Sequence, residues 1–286
     1  MSNGIICLSF DFDAVSLWMY RDMVTATPVS RGEFGVTAVP RILNLLKSRG
    51  LTATFFVPGH TIVSFPAACE QIAAEGHEIA LHGWAHENVA SMDESAERAI
   101  LERSFADASR LIGSPPKGYR SPAWDLSGKT LSLLSEMGLV YDSSLMSDDY
   151  RPFHPRIGDS IPPNQAMQFG EVSRLVELPI SWTVDDYPQF EYLRMPGTVL
   201  PGLRRPEDVF ANWSADIEYM ERDFDRGVLT VTFHPQVIGR GHRILGLERW
   251  LDSLIEADLR FARLDAVAGE FAAGGAFGTW KPGLPS

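Results

Sequence analysis

Strand and helix signals alternate along almost the whole chain of 286 residues. Short apolar runs rich in β-branched and aromatic residues are separated by longer segments whose apolar residues recur at helical spacing. This alternation is typical of a parallel sheet with helices on its outside. No glycine-rich phosphate loop follows the first strand, which favours an α/β fold of the distorted (β/α) barrel type, with seven to eight strands, over an open doubly wound sheet. The candidate strands are residues 5–10, 52–58, 78–81, 117–120, 139–142, 175–182, 228–233 and 260–264.

Two connections are longer than the loops of a barrel usually are. Residues 14–36 and 143–175 contain many proline, aspartate, arginine and aromatic residues, and loops of this length in a compact domain are usually functional or disordered. The first is expected to end at Thr37, which together with Pro40 predicts the start of a helix. We expect one barrel domain over residues 1–275 and a loose C-terminal tail over residues 276–286.

The composition argues against several classes of protein. A formal net charge of −12 and a pI near 5.0 disfavour nucleic acid and anionic membranes as partners. Two cysteines do not form a disulfide framework, and no apolar run reaches the roughly 20 residues that span a bilayer. The N-terminus carries no basic segment of the kind that starts a signal peptide. These features favour a cytoplasmic enzyme or binding protein.

Two aspartates follow the first apolar strand. Side chains alternate in a strand, so Asp11 and Asp13 point the same way while Phe12 points the other way. Neighbouring carboxylates repel each other, and the arrangement costs free energy unless a cation or a shared proton relieves it. A pair that only caps a turn is the simpler alternative. A functional interpretation therefore requires a cation from elsewhere in the chain.

Histidines and further charged residues also follow strands, where the catalytic residues of barrels lie. His82 and His86 are four residues apart, so on a helical turn both imidazoles would face one way at a spacing that suits one metal ion. With a strand-end aspartate they make a two-histidine, one-carboxylate set, which suits zinc hydrolases and also non-haem iron oxygenases. The other strand-end candidates are His60, Arg120, Asp142, Asp185, Asp186 and His234.

A bound metal would give the two aspartates different tasks. One carboxylate can ligate the metal, while the other takes a proton from a water molecule whose pKa the metal lowers from about 15.7 towards 7. His234 ends a buried strand directly before Pro235, a position suited to a general acid that protonates a leaving group. A histidine that only caps its strand is the structural alternative.

Five segments resemble, in this order, the motifs of the polysaccharide deacetylase superfamily (carbohydrate esterase family 4): SFDFD, HGWAHEN, YRSPAW, SWTVDDYP and FHPQ. Gly83 departs from the family pattern, which has serine or threonine after the first histidine. The resemblance implies a divalent metal, most often zinc. It also implies that Asp11 is the catalytic base and His234 the catalytic acid, and that the metal ligands are Asp13, His82 and His86. Arg120 would orient the base, and Asp185, ahead of Asp186, would orient the acid.

Other segments, among them YDSSLMSDD and FHPQVIGRGHR, resemble one branch of this superfamily, the intracellular deacetylase-like proteins. That branch includes cyclic imide hydrolases and a bacterial peptidoglycan deacetylase homologue. The metal-independent allantoinases, a sister branch, lack the second histidine, so His86 argues against that assignment. Members of the branch are commonly tetramers, and the resemblance therefore implies a homo-oligomer.

We expect a metal-dependent hydrolase of non-peptide carbon–nitrogen bonds that acts on a small intracellular amide, imide or ureide. The alternatives are an N-deacetylase of an N-acetylated sugar or peptidoglycan fragment and a non-catalytic binding module of the same fold; the iron oxygenase is the weakest. We expect Trp84, Trp124 and the two long connections to line the site, although these connections can equally pack against another subunit. Their aromatic and arginine residues, suited to enclosing a small polar ligand, are Trp18, Tyr20, Arg21, Arg31, Phe34, Tyr150, Arg151, Phe153 and Arg156.

Overall fold

The computed structural model describes residues 4–195 and 197–279. Within these residues strands and helices alternate, as the sequence predicts. The strands are β1 (Ile5–Asp11), β2 (Thr54–Val57), β3 (Glu78–Leu81), β4 (Gly118–Tyr119), β5 (Tyr141–Asp142), β6 (Arg156–Ile157), β7 (Glu171–Val172), β8 (Val176–Glu177), β9 (Leu193–Met195), β10 (Thr198–Leu200), β11 (Val228–Phe233) and β12 (Arg260–Phe261). The helices are α1 (Ser16–Tyr20), α2 (Ala26–Ser48), α3 (Gly59–Ser64), α4 (Pro66–Ala74), α5 (Glu94–Ile112), α6 (Thr130–Glu136), α7 (Asp186–Phe190), α8 (Pro206–Asp223), α9 (Pro235–Ile238), α10 (Gly241–Glu256) and α11 (Leu264–Ala272).

The main sheet is parallel and curls into a half-barrel. Strand β1 pairs with β11 on one edge, and on its other edge it pairs with β12 near Ile5 and with β2 near Asp11. From β2 the sheet continues through β3, β4 and β5 to β8. Beyond β8, a bridge between Asp185 and Thr232 links the chain back to β11. The distorted (β/α) barrel is therefore confirmed, with eight strands in its sheet.

Burial on both faces explains the apolar sequence of β1. Alternate residues face either the surrounding helices or the barrel interior. Leu8 and Phe10 belong to the larger core, which includes the outer helices. Ile5 and Cys7 belong to a smaller core that also contains residues of α11. Asp11 lies further along the same face as these two residues, so the interior becomes polar towards the carboxyl end of the strand.

Helix α2 begins at Ala26, and the predicted start at Thr37 is wrong. Thr37 and Pro40 resemble a helix start locally, but both lie inside α2. Gly32 permits the longer helix, because a Cβ at this position would come within 2.5 Å of the carbonyl oxygen of Ala14. The connection over residues 14–36 is thus mostly helical and packs against the end of β1. Although α2 has 23 residues, no helix in the described part of the chain is both long and apolar enough to cross a membrane.

The second long connection, residues 143–175, contains the hairpin β6–β7 and otherwise irregular structure. The carbonyl oxygen of Tyr150 accepts a hydrogen bond from the backbone N–H of Val228 (2.9 Å). Val228 is the first residue of β11, so this connection passes the end of the barrel opposite to the aspartates.

The predicted tail, residues 276–286, lies outside the described residues from position 280 onwards. Its first part packs against the domain: the backbone N–H of Gly278 donates to the carbonyl oxygen of Arg226 (2.7 Å), and the rings of Phe277 and Phe271 are 6.0 Å apart. The assignment of a single domain to residues 1–275 stays a prediction.

A pair of buried carboxyl groups lies between β5 and β8. Asp142 and Glu177 are both 0% exposed and lie in register on neighbouring strands. Asp142 Oδ2 and Glu177 Oε2 are buried without a hydrogen-bond partner among the described residues. Two ionised carboxylates would repel each other here, and a shared proton would satisfy both oxygens, so we infer that the pair shares a proton. The other two oxygens are bonded: Ser144 Oγ donates to Asp142 Oδ1 (2.8 Å), and the backbone N–H groups of Ser144 and Leu145 donate to Glu177 Oε1 (2.9 Å each). Burial raises the pKa of Asp142 to about 6 and raises the pKa of Glu177 well above its usual value.

We predict that Glu177→Gln flattens the pH dependence of stability. The unfolded chain releases both protons above about pH 4, whereas the folded pair retains a proton to higher pH. The stability of the wild type therefore falls as the pH rises from about 4 through the raised pKa of Asp142, about 6, and the raised pKa of Glu177. Glutamine keeps the acceptor oxygen, donates to Asp142 and cannot ionise. At pH 8 the variant should be more stable than the wild type by about 1 kcal/mol.

Urea unfolding between pH 5 and 8 measures this difference. Glu171→Gln, at an exposed position of β7, is the matched control and should follow the wild type. Parallel pH curves for the wild type and Glu177→Gln would show that no proton is shared.

Candidate metal centre and active site

The two aspartates at the carboxyl end of β1 are almost excluded from solvent, with Asp11 1% and Asp13 0% exposed. Phe12 between them packs into the larger core, so both carboxylates point away from it. The carbonyl oxygen of Asp13 accepts hydrogen bonds from Ser16 Oγ (2.6 Å) and Thr61 Oγ1 (2.8 Å). These bonds fix the backbone at Asp13 and leave its carboxylate facing the histidines.

His82 and His86 lie on the turn that follows β3. The expected helical turn is wrong, because Gly83 and His86 both have left-handed backbones, with φ of 65° and 61°. Glycine adopts this conformation without strain, which accounts for Gly83 at a position where the family pattern has a larger residue. In a non-glycine residue such as His86, this conformation often accompanies a functional role. The two rings still meet, with centroids 5.2 Å apart.

Asp13, His82 and His86 fit a metal ion. Asp13 Oδ1 lies 3.4 Å from His82 Nε2 and 3.9 Å from His86 Nε2. This oxygen is buried without a hydrogen-bond partner among the described residues, and a cation would satisfy it. His82 Nδ1 donates to the carbonyl oxygen of Arg120 (2.8 Å), which leaves the Nε2 lone pair free for a metal. A carboxylate with two imidazoles is a ligand set that zinc and iron favour.

The charges of these three residues also suit a cation. Burial lowers the pKa of His86 to about 4, so this ligand is neutral. Burial acts to raise the pKa of Asp13, but His86, His82 and His234 outweigh it and hold that pKa below its usual value. Burial acts to lower the pKa of His82, but the neighbouring carboxylates of Asp11 and Asp13 outweigh it and hold that pKa above its usual value.

Arg120 holds Asp11 from inside the barrel. Its guanidinium is 0% exposed. Nη1 donates to Asp11 Oδ1 (2.8 Å) and to Ser9 Oγ (2.9 Å), Nε donates to the carbonyl oxygen of Ser143 (3.0 Å), and Nη2 donates to Ser143 Oγ (3.0 Å). One oxygen of Asp11 is thus engaged by Arg120, while Oδ2 lies 3.9 Å from His82 Nε2. The arrangement is the one expected for a base that an arginine orients.

His234 follows β11 and is oriented by Asp186. Its Nδ1 donates to Asp186 Oδ1 at 2.8 Å, whereas Asp185 Oδ1 lies 3.5 Å away. The predicted preference for Asp185 as the partner therefore disagrees with the geometry. Asp185 caps α7 and accepts from the backbone N–H of Tyr187 (2.8 Å), while Asp186 is 0% exposed and turns inward.

The charge on His234 suits an acid. Burial lowers the pKa of His234, but Asp185 and Asp186 outweigh it and raise the pKa to about 10. The ring is therefore protonated at neutral pH. Its Nε2 lies 4.0 Å from Asp11 Oδ2 and 3.9 Å from Asp13 Oδ2. A proton donor thus lies beside the carboxylates of the candidate base and the candidate ligand.

A cavity of about 370 Å³ contains all of these groups except the buried Arg120 and Asp186. The indole rings of Trp124 and Trp182 stack on its wall, with centroids 6.2 Å apart and planes at 14°. Apart from Arg21, the charged residues of the wall follow strands of the main sheet, and the apolar part of the wall consists of Leu17, Ala123, Trp124, Trp182, Tyr187, Pro188 and Leu200.

The wall differs from the expected one in two respects. Trp84 is not part of it: its Nε1 donates to Asp107 Oδ2 (3.1 Å), and the guanidinium of Arg103 lies 3.3 Å from its ring centre. No residue of the connection 143–175 lines the cavity either. Trp182, Asp185, Tyr187, Pro188 and Leu200 take its place. The aromatic residues that flank the Asp185–Asp186 pair, Trp182 and Tyr187, were the available signal in the sequence.

Comparisons with known proteins agree with this geometry. Residues 22–141 match the family model described as polysaccharide deacetylase. A Helicobacter pylori protein named peptidoglycan deacetylase is 31% identical over 281 residues, which cover 93% of this chain and 96% of the relative. A crystal structure of a Mycobacterium smegmatis protein assigned to the polysaccharide deacetylases has a TM-score of 0.84 and 30% identity, covering 100% of this chain and 95% of that one. An allantoinase, at 19% identity and a TM-score of 0.75 over 95% of this chain and 91% of its own, shares the fold. The chain therefore belongs to the polysaccharide deacetylase family of hydrolases.

Proposed function

We propose that this protein is a metal-dependent hydrolase that cleaves a non-peptide carbon–nitrogen bond in a compact substrate, a small amide, imide or ureide. The observation that supports this most is that three functional groups meet in one cavity. They are a carboxylate held by a buried arginine, a triad of metal-ligand type and a protonated histidine. Base, ligands and acid are together what hydrolysis of an amide requires.

Asp13, His82 and His86 would hold the metal, with zinc as the preferred ion. The ligand atoms of these residues lie within 4.8 Å of one another, and the hydrogen bond from His82 Nδ1 to the carbonyl oxygen of Arg120 fixes the tautomer that ligation needs. When bound, the ion supplies Lewis-acid activation of a water molecule and of the acyl carbonyl.

Asp11 and His234 would move the protons. Asp11, with Oδ1 bound to Arg120, accepts a proton from the attacking water at Oδ2. His234 donates a proton from Nε2 to the departing nitrogen, and its hydrogen bond to Asp186 keeps Nε2 directed into the cavity. One proton enters Asp11 and one leaves His234, so the bond is broken without a net change in the charge of the site.

A compact substrate is supported by the way in which one side of the cavity is closed. Arg21 Nη1 donates to Tyr187 Oη (3.0 Å). Arg31 forms an ion pair with Glu191 and donates to the carbonyl oxygen of Tyr192 (2.6 Å). These contacts join the α1–α2 segment to residues 187–192 across the site. The resulting volume of about 370 Å³ is within the range of small-molecule pockets.

N-deacetylation of an N-acetylated sugar is the second candidate. The Helicobacter pylori relative is named peptidoglycan deacetylase. Trp182 is 57% exposed and stacks on the buried Trp124, so its indole offers a flat face against which a sugar ring can pack. The expected homo-oligomer, a tetramer included, and the expected cytoplasmic location stay predictions.

A substrate panel distinguishes the two candidates. With added zinc, we expect kcat/KM for the best small imide, ureide or formamide to exceed that for a long chitooligosaccharide by at least about tenfold. This ratio corresponds to a difference of about 1.4 kcal/mol in transition-state binding. The measurement is release of amine or ammonia under identical conditions. Comparable kcat/KM values for the two classes would favour the deacetylase, and no turnover of any compound would contradict both.

Substitutions should separate metal binding from proton transfer. His82→Ala removes a ligand, so the purified protein should lose its metal. Asp11→Asn should retain the metal and lose about 100-fold or more in kcat, the usual contribution of a general base. Metal content by mass spectrometry and kcat are the two measurements. His242→Ala, at an exposed histidine of α10, is the control and should change neither the metal content nor kcat. An unchanged kcat in Asp11→Asn would exclude Asp11 as the base.

Asp186→Asn should lower kcat more than Asp185→Asn, because Asp186 makes the 2.8 Å bond to His234 Nδ1. Loss of this carboxylate also lowers the pKa of His234. The acid form is then lost at lower pH, and the alkaline limb of the pH–rate profile should move to lower pH. Profiles of kcat against pH for both variants measure this effect. A larger shift and a larger loss in Asp185→Asn would assign the orienting role to Asp185.

A further inference from the structure

Arg21 lines the cavity together with the proposed base, ligands and acid. It directly follows α1, in the connection between β1 and α2. Its guanidinium carbon lies 5.9 Å from the ring centres of both Trp18 and Tyr187. Tyr187 in turn packs against the imidazole of His234, with ring centroids 5.2 Å apart. The guanidinium is therefore held on the side of the cavity where the proposed acid lies.

Most hydrogen-bond donors of this guanidinium are unused. An arginine side chain has five N–H groups, and among the described residues Arg21 makes one side-chain hydrogen bond, from Nη1 to Tyr187 Oη. Within the described ranges it forms no ion pair with a carboxylate, whereas Arg31 pairs with Glu191 and Arg120 pairs with Asp11. Arg21 is half-buried. Its free N–H groups are suited to a ligand rather than to the protein.

The remaining wall offers little else to an anion. Asp11, Asp13 and Asp185 line the same cavity and would repel a negatively charged substrate. Arg120 is 0% exposed behind Asp11, so its charge is already compensated. An arginine presents its N–H groups as a planar fork, which matches the two oxygens of a carboxylate.

We propose that Arg21 binds a carboxylate on the amine half of the substrate and so selects acidic N-acyl compounds. The amine half is the part that His234 protonates, and Arg21 lies next to His234 through Tyr187. N-acyl and N-carbamoyl amino acids and N-acetylmuramic acid carry a carboxylate on this half. The inference rests on the proposed function, because it assumes that the cavity hydrolyses a carbon–nitrogen bond.

Matched pairs of substrates test this proposal: N-acetyl and N-carbamoyl amino acids and N-acetylmuramic acid, each compared with its methyl ester. The zinc-loaded wild type should prefer the acid by about 10- to 100-fold in kcat/KM, as expected for a hydrogen bond between charged groups. Arg21→Met should abolish this preference mainly through KM for the acids, so that each acid and its ester are hydrolysed with similar kcat/KM. Arg21→Lys keeps the charge without the fork and should restore part of the preference. Arg249→Met, at an arginine whose side chain is 71% exposed, is the control and should behave as the wild type.

Two outcomes would overturn the role of Arg21. One is equal kcat/KM for acids and esters in the wild type. The other is an equal loss for acids and esters in Arg21→Met, which would mean that Arg21 only braces Tyr187.

Calorimetry keeps this proposal separate from the proposed hydrolysis. The affinities of the acids and their esters are measured in zinc-loaded Asp11→Asn, with and without Arg21→Met. Selective binding of the acids that Arg21→Met abolishes supports the role of Arg21 even if the wild type hydrolyses no compound, in which case the proposed function fails alone. Turnover without any acid preference in rate or affinity contradicts Arg21 alone.

Discussion

Burial of negative charge at the carboxyl end of β1 is the constraint on which the rest of the site depends. Asp11 and Asp13 are 1% and 0% exposed, and burying a carboxylate costs several kcal/mol unless opposite charges and hydrogen bonds compensate it. Arg120 compensates Asp11, and the two histidines of the β3 turn surround Asp13. These partners follow different strands, and a parallel sheet is the architecture that brings such strand ends to one place.

The compensation continues into the barrel. Ser143 accepts two hydrogen bonds from Arg120, and the next residue, Ser144, accepts from the backbone N–H of Ser121 (2.9 Å) and donates to Asp142. Because Ser143 and Ser144 are neighbours in the chain, the hydrogen bonds of Arg120 and those of Asp142 are linked through one peptide bond. This network is buried, and in the low dielectric of the interior its hydrogen bonds are stronger than in water. It explains why polar residues occupy the interior of β1, β4, β5 and β8.

The outer half of the site has a different origin. Its wall comes from the α1–α2 segment and from Trp182, Tyr187, Pro188 and Leu200. Arg21 and Arg31 join the two parts through Tyr187 and Glu191. These segments connect strands of the main sheet, and they line the outer side of the cavity. The chemistry therefore belongs to the sheet and its strand ends, whereas the choice of substrate belongs to these segments, in keeping with the rule that one fold hosts many functions.

The sequence by itself determined the fold class and the positions where polar residues end strands, because both depend on periodicity within short segments. The parallel strands, the aspartates after β1 and the histidines after β3 all follow from such local patterns. Tertiary structure decided what depends on contacts between distant segments. Gly32 lets α2 extend back to Ala26, and the capping of α7 by Asp185 turns Asp186 towards His234. The packing of Arg21 beside Tyr187 joins residues 166 positions apart, and no local pattern carries that information.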